Sequence, residues 1–489
     1  MPNRCLILFF SLIVTSSSMA GVQSYFDSIK SNPQALYAFF EKMPKGGELH
    51  YHFTGSAYPE HIIEQVRRGH YCIDPKTFAL TPSQPRCNGV DATAFLAVKK
   101  NEERAIRAWS MKSFIPTRES KHDHFFNVFA KVNPVYDVFY TPLLVSMMNR
   151  AAKQHELYME IMMSNLGETD HYVRLIHKAS TLADKKRILL ADHDFQQMIS
   201  QQIRTGHTYL DQAYQLLDCN QNPTQPVCSL VVRFQFWVRR EEPLDSVFVQ
   251  ALAGFAAAAQ SSSPIVGVNL VQPERGTISR RDFDAQMRLF EFLHKAYPNV
   301  HIALHAGELE PKTTPLQDLR FHINHSVHIG HAERIGHGVS ILHEDDHAAL
   351  TQYMAQQHIA VELNLKSNQE ILSIEGNDHP ILYYLKQGVP IVLSTDDEGI
   401  LYTDLTQQYV EAVLKYGIDY QTLKGFTRNA LTYSFLPGQS LWINPRTQRT
   451  VPACERLQSV TCQQFVKTSE KARLQLKLEQ ELHTFEASF

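Results

Sequence analysis

The sequence predicts an α/β fold: a (β/α)8 barrel of the TIM type, with an insertion after strand 1 and a C-terminal helical extension. Three observations predict this fold. Short apolar, β-branched runs recur along the chain, segments with helical periodicity separate them, and the runs number eight. Alternating strands and helices predict a parallel sheet, and eight strands favour a barrel over an open doubly wound sheet. No Gly-x-Gly-x-x-Gly follows a predicted strand, which weakens the dinucleotide-binding alternative.

The chain divides into a barrel domain, residues 21–436, and an extension, residues 437–489. The predicted strands are Gly47–Phe53, Tyr158–Ser164, Leu230–Val238, Ile265–Leu270, His301–His305, Arg334–His337, Ile359–Leu365 and Ile391–Thr395. Segments between them, such as "DFDAQMRLFEFLHKAY" and "HPILYYLKQG", place apolar residues at three- and four-residue steps, as helices do. We expect a helical lead-in over Gln23–Lys45 and an insertion over about residues 70–150. The extension should end in a charged amphipathic helix.

The first twenty residues, "MPNRCLILFFSLIVTSSSMA", have the features of a secretory signal peptide. Arg4 precedes an apolar run, and Ser18-Met19-Ala20 fits the small-x-small cleavage pattern. That run is too short to span a membrane, and no later segment reaches about 18 apolar residues. The net charge of −3 and the lack of a long Lys/Arg run exclude an electrostatic nucleic-acid footprint. We therefore expect a secreted or periplasmic protein with neither membrane nor nucleic acid as partner.

The cysteines are consistent with an oxidising compartment. Removal of Cys5 with the signal peptide leaves six, an even number that allows fifteen connectivities. They form local couples in loop-like stretches such as "CNQNPTQPVC", which favours local disulfides over scattered buried thiols. No Cys-x-x-C is present, so the spacing excludes a cysteine zinc ribbon. The expected pairs are Cys72–Cys87, Cys219–Cys228 and Cys454–Cys462.

Ligand-type side chains stand at the ends of four predicted strands. In barrel enzymes the chemistry sits at the C-terminal ends of the strands, so these side chains should meet at one mouth. Two histidines in "LHYH" lie at i and i+2, and such residues share one face of a strand and can bind one ion. The motifs "LHYH", "LHAGE", "RIGHG" and "STDDEG" supply His50, His52, His305, Glu308, His337, Asp396 and Asp397.

Three imidazoles and a carboxylate suit zinc, with an open position for water. Bound zinc lowers the pKa of that water to about 7. Glu308 lies three residues beyond His305, where it could donate or accept a proton, and His337 could orient or deprotonate the water. Two adjacent aspartates cannot both point at one ion from a strand. One should bind the metal while the other faces the substrate or a neighbouring imidazole.

The ordered motifs "MPKGGELHYH", "LHAGE", "RIGHG" and "STDDEG" resemble the adenosine deaminase family of the amidohydrolase superfamily. The resemblance covers roughly residues 40–436, with weaker support from "SN" at 367–368 and "HP" at 379–380. The "MPKGGELHYH" opening, the signal peptide and the cysteines are more similar to the secreted, growth-factor-related branch. The resemblance implies hydrolytic deamination of adenosine and 2′-deoxyadenosine to inosine and 2′-deoxyinosine, with release of ammonia.

The resemblance also implies a role for each site residue. One zinc per chain would be held by His50, His52, His305 and Asp396. Glu308 would protonate purine N1, His337 would assist the attack of the zinc-activated water on C6, and Asp397 would contact N7. The implied partner is a small-molecule purine nucleoside, and a homodimer is left open.

Two positions depart from the family pattern. Thr54 stands where cytosolic members have an aspartate that reaches the ribose 5′-hydroxyl. Gln272 stands where the family usually has a glycine whose backbone meets purine N3. Both residues should contact the substrate, and the changes bear on ribose and ring-edge recognition rather than on the metal chemistry.

Other functions remain in competition with adenosine deamination. One alternative substrate is adenine or a modified adenine nucleoside, which Thr54 and Gln272 favour. A different class is an extracellular binding or signalling protein with a vestigial site, but retention of all seven motif side chains argues against decay. A cytidine-type deaminase is disfavoured because its His-x-Glu and Pro-Cys-x-x-Cys signature is absent.

Several further histidines are expected to be structural. The three-residue spacing in "FHINHSVHIGHAERIGHG" predicts an exposed helix face before strand six, and "KHDHFF" predicts a helix start within the insertion. "HEDDH" predicts a solvated helix N-terminus. The histidines concerned are His122, His124, His322, His325, His328, His331, His343 and His347.

Overall fold

The computed structural model describes residues 10–117, 119–164, 166–444, 447 and 449–489. The first nine residues of the predicted signal peptide lie outside the described residues. The described backbone begins in the helix Phe10–Ile29, which is followed by the helix Pro33–Lys42. The expected helical lead-in before the first strand is therefore present as two helices.

The predicted barrel is confirmed by an eight-stranded parallel sheet whose strands pair in chain order. The strands are β1 (Gly46–His52), β2 (Glu156–Met163), β3 (Val231–Arg239), β4 (Ile265–Val271), β5 (His301–Ala306), β6 (Arg334–His337), β7 (Ala360–Leu363) and β8 (Ile391–Leu393). A parallel bridge between Tyr51 and Asp396 joins the last strand to the first. The Asp396 carbonyl accepts from the His52 N–H, and the Asp396 N–H donates to the His50 carbonyl, both at 3.1 Å. The barrel thus closes at the two motifs that carry the predicted ligands.

Helices connect the strands around the barrel. Those after β2 are Asp170–Ile176, Leu182–Ala191, His193–Leu216, Leu244–Ala258, Thr277–Arg281, Phe283–Ala296, His322–His328, His347–Gln357, Leu365–Leu372, Ile381–Gln387, Glu398–Leu401, Leu405–Tyr416 and Tyr420–Thr432. Short 3-10 helices cover Pro226–Ser229, Asp318–Arg320, Val339–His343, Gly376–Asp378 and Pro452–Cys454. Local sequence explains several boundaries, because Asp404 and Asp419 cap the last two barrel helices with their carboxylates. Gly417, at φ 65°, ends the first of these two.

The insertion between β1 and β2 contains its own small sheet. Its antiparallel strands are Tyr71–Ile73, Leu80–Pro82 and Val90–Asp91. Its helices are Phe53–Ser56, Pro59–Arg68, Ala92–Leu96, Lys99–Ala108 and Lys121–Tyr136, followed by Tyr140–Lys153. The last of these buries Leu143, Leu144 and Met147 and packs against β2. The final part of the predicted insertion therefore belongs to the helical layer of the barrel.

The C-terminal extension packs back onto the barrel. It contains the paired strands Trp442–Asn444 and Arg449–Thr450 and the helices Val460–Lys467 and Glu470–Glu486. The last helix lies against Tyr420–Thr432. Ion pairs join Arg428 to Glu479 and Lys424 to Glu486 across this contact.

The structure contains the three expected local disulfides. Cys72 pairs with Cys87 inside the insertion, Cys219 with Cys228 in the loop before β3, and Cys454 with Cys462 in the extension. Each closes a short segment of one region. Among the described residues, none of the helices has both the length and the hydropathy needed to cross a membrane.

Candidate active site

The predicted ligands converge at the mouth formed by the C-terminal ends of the strands. The Nε2 atom of His52 lies 3.1 Å from Oδ1 of Asp396 and 3.1 Å from Nε2 of His305. The Nε2 atom of His50 lies 3.4 Å from the same Asp396 oxygen. Each of these four side chains is largely or fully buried. Three strand ends, far apart in sequence, thus bring three imidazole nitrogens to one carboxylate.

Among the residues that the structure describes, two overlapping groups of side chains could hold a metal ion, and both contain Asp396. The members of each group offer ligand atoms within 4.8 Å of one another. The groups are His50, His305, His337 and Asp396, and His52, Asp396 and Asp397. Buried Nε2 atoms of His50 and His337 have no hydrogen-bond partner, which is costly unless another group binds there. Imidazole nitrogens with one carboxylate are the donor set that catalytic zinc takes, so these residues fit the implied metal.

The backbone is strained where it presents three of the predicted site residues. Gln272, His337 and Asp396 have φ values of 80°, 67° and 68°, although none of them is glycine. Such conformations are uncommon for residues with a Cβ and cluster at functional sites. Here they occur directly at the ends of β4, β6 and β8.

Two motif glycines are required by close approach. A Cβ on Gly55 would lie 1.6 Å from Oδ1 of Asp397, and one on Gly336 would lie 2.6 Å from Cε1 of His50. The lack of a Cβ at Gly55 therefore lets the Asp397 carboxylate pack against the short helix after β1. The lack of one at Gly336 makes room for the His50 ring.

The outer nitrogens of two predicted ligands are held by buried polar side chains. Nδ1 of His50 lies 2.8 Å from Glu362, and Nδ1 of His305 lies 2.9 Å from Oδ1 of Asn269. Arg334 donates to Glu362 at 2.5 Å and to Glu160 at 2.6 Å across the barrel interior. A carboxylate or amide oxygen at Nδ1 fixes the proton there and leaves Nε2 as the ligand atom.

A chain of hydrogen bonds assigns the opposite tautomer to His337. The Ile381 N–H donates to Nδ1 of His379 at 3.2 Å, so the proton of neutral His379 is on Nε2, which donates to Oδ1 of Asn368 at 3.1 Å. The amide nitrogen of Asn368 consequently faces Nδ1 of His337 at 3.0 Å and donates to it. Burial lowers the pKa of His337 to about 3, which keeps it neutral. Its Nε2 therefore carries the proton and points a donor at the mouth.

Asn368→Asp should lower kcat by roughly 10–100-fold, the usual cost of losing a partner that orients a functional imidazole. A carboxylate accepts a hydrogen bond from Nδ1–H instead of donating one to Nδ1, so the ring proton moves to Nδ1 and the donor at Nε2 is lost. Histidine ¹⁵N shifts of the metal-free variant should show the proton of His337 moved to Nδ1. Asn364→Asp is the control, because its amide lies farther from the same nitrogen, at 3.5 Å. Equal losses of kcat in both variants would contradict the tautomer that this chain of hydrogen bonds assigns to His337.

Burial and nearby charges favour the protonated form of two carboxyl groups at the mouth, Glu308 and Asp397. Burial raises the pKa of Glu308 to about 8, with the charges of Asp396 and Glu274 acting in the same direction. Burial and the adjacent Asp396 raise the pKa of Asp397 well above its ordinary value. Oε1 of Glu308 lies 3.8 Å from Nε2 of His337. Two protonated carboxyls at the mouth can donate to ring nitrogens of a ligand.

Glu274 positions Glu308, and sequence reasoning did not identify this role. Its carboxylate accepts from the N–H groups of Gly307 at 3.0 Å and Glu308 at 2.7 Å, and lies 2.7 Å from Nδ1 of His322. Burial opposes ionisation, but the hydrogen bond and charge of His322 dominate and lower the pKa of Glu274. The fully buried Arg240 completes the support by donating to the His305 carbonyl at 2.6 Å. Neighbouring environments thus keep Glu274 ionised and Glu308 protonated.

Glu274→Gln should reduce kcat by roughly 10–100-fold while the protein keeps its metal, because the amide cannot accept as strongly from the Glu308 N–H. Glu344→Gln is a matched control. Glu344 is also buried and accepts from two consecutive N–H groups, those of Ile323 and Asn324, away from the mouth. Comparison of kcat, KM and metal content in the two variants tests the role. A similar fall in both would show that Glu274 only stabilises the fold.

The predicted exposed helix face is wrong for two of the histidines before β6, one of which is buried and the other outside the helix. His322 is fully buried, because its ring stacks on Phe283 at 3.7 Å and its Nδ1 is bound to Glu274. His331 lies beyond the end of the helix His322–His328, in a turn with φ 55°. The expected helix starts at "KHDHFF" and "HEDDH" are confirmed, with Ser120 and Asp346 as their capping residues.

The mouth opens into a cavity of about 1110 Å³, which Glu308, His337 and Asp397 line. Thr54 lines it from the short helix after β1. Gln272 also lines it, and its side-chain carbonyl accepts from the Glu241 N–H at 2.9 Å. That hydrogen bond directs the Gln272 amide to the neighbouring loop, and its positive φ is a conformation that glycine adopts without strain. Of the predicted site residues, all but His50 line this cavity, and His50 lies behind it against Asp396.

The fold and the site define a barrel protein with a buried histidine and aspartate centre. Residues 216–441 match the family model described as adenosine deaminase. The chain is 34% identical over 90 residues to N6-methyl-AMP deaminase of Danio rerio, which covers 18% of this chain and 26% of that protein. It is 32% identical over 140 residues to adenosine deaminase of Klebsiella pneumoniae, covering 28% and 39% respectively. The matched regions thus span about a quarter to two fifths of these relatives.

Solved structures show the same fold. Adenine deaminase from Arthrobacter aurescens aligns with a TM-score of 0.51 and 18% identity over 81% of this chain and 94% of its own. The N6-methyl-AMP deaminase from Arabidopsis thaliana aligns with a TM-score of 0.50 and 17% identity over 82% and 94%. At these identities the likeness supports the barrel architecture and leaves the substrate to be argued from the site.

Proposed function

We propose that this protein is a zinc-dependent aminohydrolase that converts adenosine and 2′-deoxyadenosine to inosine and 2′-deoxyinosine with release of ammonia. The observation that carries the proposal is the meeting of three imidazoles and Asp396 at the strand ends, beside a cavity that Glu308 lines. This arrangement provides a metal site and a proton donor together.

One zinc per chain would be held by His50, His52, His305 and Asp396. Glu362 and Asn269 support this assignment because they bind the outer nitrogens of two of these rings and direct Nε2 inward. When bound, zinc would supply the Lewis acidity that makes water reactive near neutral pH. His337 is the competing ligand, since its Nε2 belongs to one of the two groups. The hydrogen bond to its Nδ1 puts a proton on that Nε2, which argues against coordination.

The chain's own residues then act on the substrate. Glu308 would donate its proton to purine N1, which draws electrons from C6 as water adds there. The Nε2–H of His337 would hold the oxygen of the attacking water in position. Asp397, whose pKa burial raises well above its ordinary value, would donate a hydrogen bond to N7. One proton of the water goes to the amino group, which leaves C6 as ammonia, and the other returns to Glu308 while the oxygen stays on C6.

The proposal extends to export from the cell. The amino-terminal pattern of a signal peptide supports a secreted or periplasmic protein, as does a fold containing three disulfides. Membership of the secreted, growth-factor-related branch is part of the same proposal.

A second candidate function is the deamination of adenine or a modified adenine nucleoside. Thr54 and Gln272, which line the cavity in place of the family's usual residues, favour it. Thr54 carries no charge, and a charge-assisted hydrogen bond is roughly twice as strong as a neutral one of about 0.5–1.5 kcal/mol. We therefore expect a KM for adenosine roughly ten-fold above that of members with the aspartate.

The experiment compares kcat/KM for adenosine, 2′-deoxyadenosine and free adenine on one zinc-loaded preparation. Release of ammonia and loss of the adenosine absorbance band report turnover, and His50→Ala serves as the inactive control. Adenosine should be deaminated faster than adenine. If kcat/KM for adenine exceeds that for adenosine by more than about ten-fold, the second candidate function replaces the proposal. If no purine is turned over, the protein is a binding protein rather than an enzyme.

A further inference from the structure

We propose that the outer part of the cavity is a subsite for an apolar, uncharged substituent on the 5′ carbon of the substrate's sugar. The inference rests on the proposed function and names its substrate class. The preferred substrates are 6-aminopurine nucleosides with a 5′ thioether or similar group, and 5′-phosphates are rejected.

The cavity is larger than a nucleoside requires. Pockets for drug-sized ligands are typically about 300–1,000 Å³, and this cavity is about 1110 Å³. Its lining runs from the predicted metal ligands to the insertion helix Lys121–Tyr136 and to the long helix His193–Leu216. A purine placed at Glu308 therefore leaves a large volume for a substituent.

The wall beside Thr54 is a stack of three aromatic rings. Phe53 stacks on Tyr140 with centroids 3.6 Å apart, and Tyr140 stacks on Tyr209 with centroids 3.7 Å apart. All three residues line the cavity, and Phe126 and Phe129 add two rings from the insertion. Such surfaces bind apolar groups by burial and by ring contact.

The charges in this part of the cavity disfavour a phosphate. Among the described residues that line it, the outer region has four carboxylates, and Arg239 is the one lysine or arginine. Nε of Arg239 is already paired with Glu242 at 2.6 Å. The four carboxylates are Asp137, Glu168, Asp170 and Glu242. A phosphate would face four carboxylates against one guanidinium among these residues, and the repulsion costs binding in a partly buried site.

The position of Thr54 connects this subsite to the 5′ carbon. In the family pattern this position approaches the 5′-hydroxyl, and here a short neutral side chain occupies it. Thr54 follows Phe53, the first ring of the stack, so a group extending from the 5′ carbon past Thr54 meets the aromatic wall. The uncharged side chain of Thr54 and the apolar wall beyond it favour an uncharged 5′ substituent over a charged one.

The test compares adenosine, 5′-deoxy-5′-(methylthio)adenosine and adenosine 5′-monophosphate on the zinc-loaded protein. We expect the methylthio compound to have a kcat/KM at least equal to that of adenosine, and the monophosphate to be roughly 100-fold poorer or worse. Affinity is measured separately on the metal-free protein by the change in tryptophan fluorescence, because Trp237 lines the cavity. A monophosphate that binds as well as the methylthio compound would overturn the inference.

Two variants on one helix test where the substituent binds. Tyr209→Ala should lower the ratio of kcat/KM for the methylthio compound to that for adenosine by about two- to ten-fold, the worth of one aromatic contact. Tyr214→Phe, on the same helix but outside the cavity lining, should not change this ratio. An unchanged ratio in Tyr209→Ala would overturn the assignment. If no compound is deaminated, the proposed function fails, and the fluorescence ranking alone decides whether the subsite exists.

Discussion

Replacing Asp396 by alanine is expected to remove most of the bound zinc and to abolish turnover. Both groups of metal-binding side chains contain Asp396, and its Oδ1 lies within 3.1–3.4 Å of the Nε2 atoms of His52 and His50. Without this carboxylate the remaining imidazoles have no negative charge to offset that of the cation. Elemental analysis of the purified variant, beside steady-state assays with adenosine, measures both effects.

Two histidine variants separate the competing ligand sets. His52→Ala should lose zinc together with activity, whereas His337→Ala should keep zinc and lose rate, since the proton on its Nε2 serves the substrate's water. His328→Ala is a control for removal of an imidazole, because that residue lies on the surface helix before β6. Stoichiometric zinc in purified Asp396→Ala would show that the ligand assignment is wrong. Loss of zinc from His337→Ala would move that residue into the ligand set.

The barrel could be predicted because its signals are local. Each strand is a short apolar run, since a parallel strand covered on both sides must be apolar along its length. The ends of β1, β5, β6 and β8 then had to meet, because a barrel of this kind gathers its C-terminal strand ends at one mouth. That rule, rather than any one motif, predicted that His50 and Asp396 lie close together.

The supports of the site could not be predicted in the same way. Glu274 and His322 are 48 residues apart, and nothing local indicates that one will bind the other beneath Glu308. The spacing of His322 and His325 indicates a helix but not which side is covered, and Phe283 covers His322. Helical periodicity predicts the helix but not which residues pack against each of its sides.

The sequence did not predict the backbone conformation at Gln272 either. A glutamine does not indicate a positive φ, which occurs in few residues that have a Cβ. One signal was present: the position aligns with a glycine in the related family, and the structure keeps the glycine-like φ of 80°. The side chain is then held away by the Glu241 N–H. Glutamine at the pocket edge therefore leaves the backbone donor in place.

Glu308→Gln should keep zinc and lower kcat by at least roughly 10²–10⁴-fold, the contribution typical of a general acid–base group. Burial raises the pKa of Glu308 to about 8, so the native side chain holds a proton at neutral pH and can transfer it to N1. Glutamine has the same shape and can donate a hydrogen bond, but it cannot release a proton to the ring. The loss should therefore fall on kcat, with KM little changed.

Glu310→Gln is the control for this loop. Glu310 is also buried, lies two residues farther along, and accepts from the Lys312 N–H without lining the cavity. It should retain near-native kcat, so that a loss confined to Glu308→Gln reports the proton rather than the loop. Single-turnover measurements on both variants would separate the chemical step from product release. Near-normal turnover by Glu308→Gln would remove the proton donor from the mechanism and leave the metal site as the remaining basis for deamination.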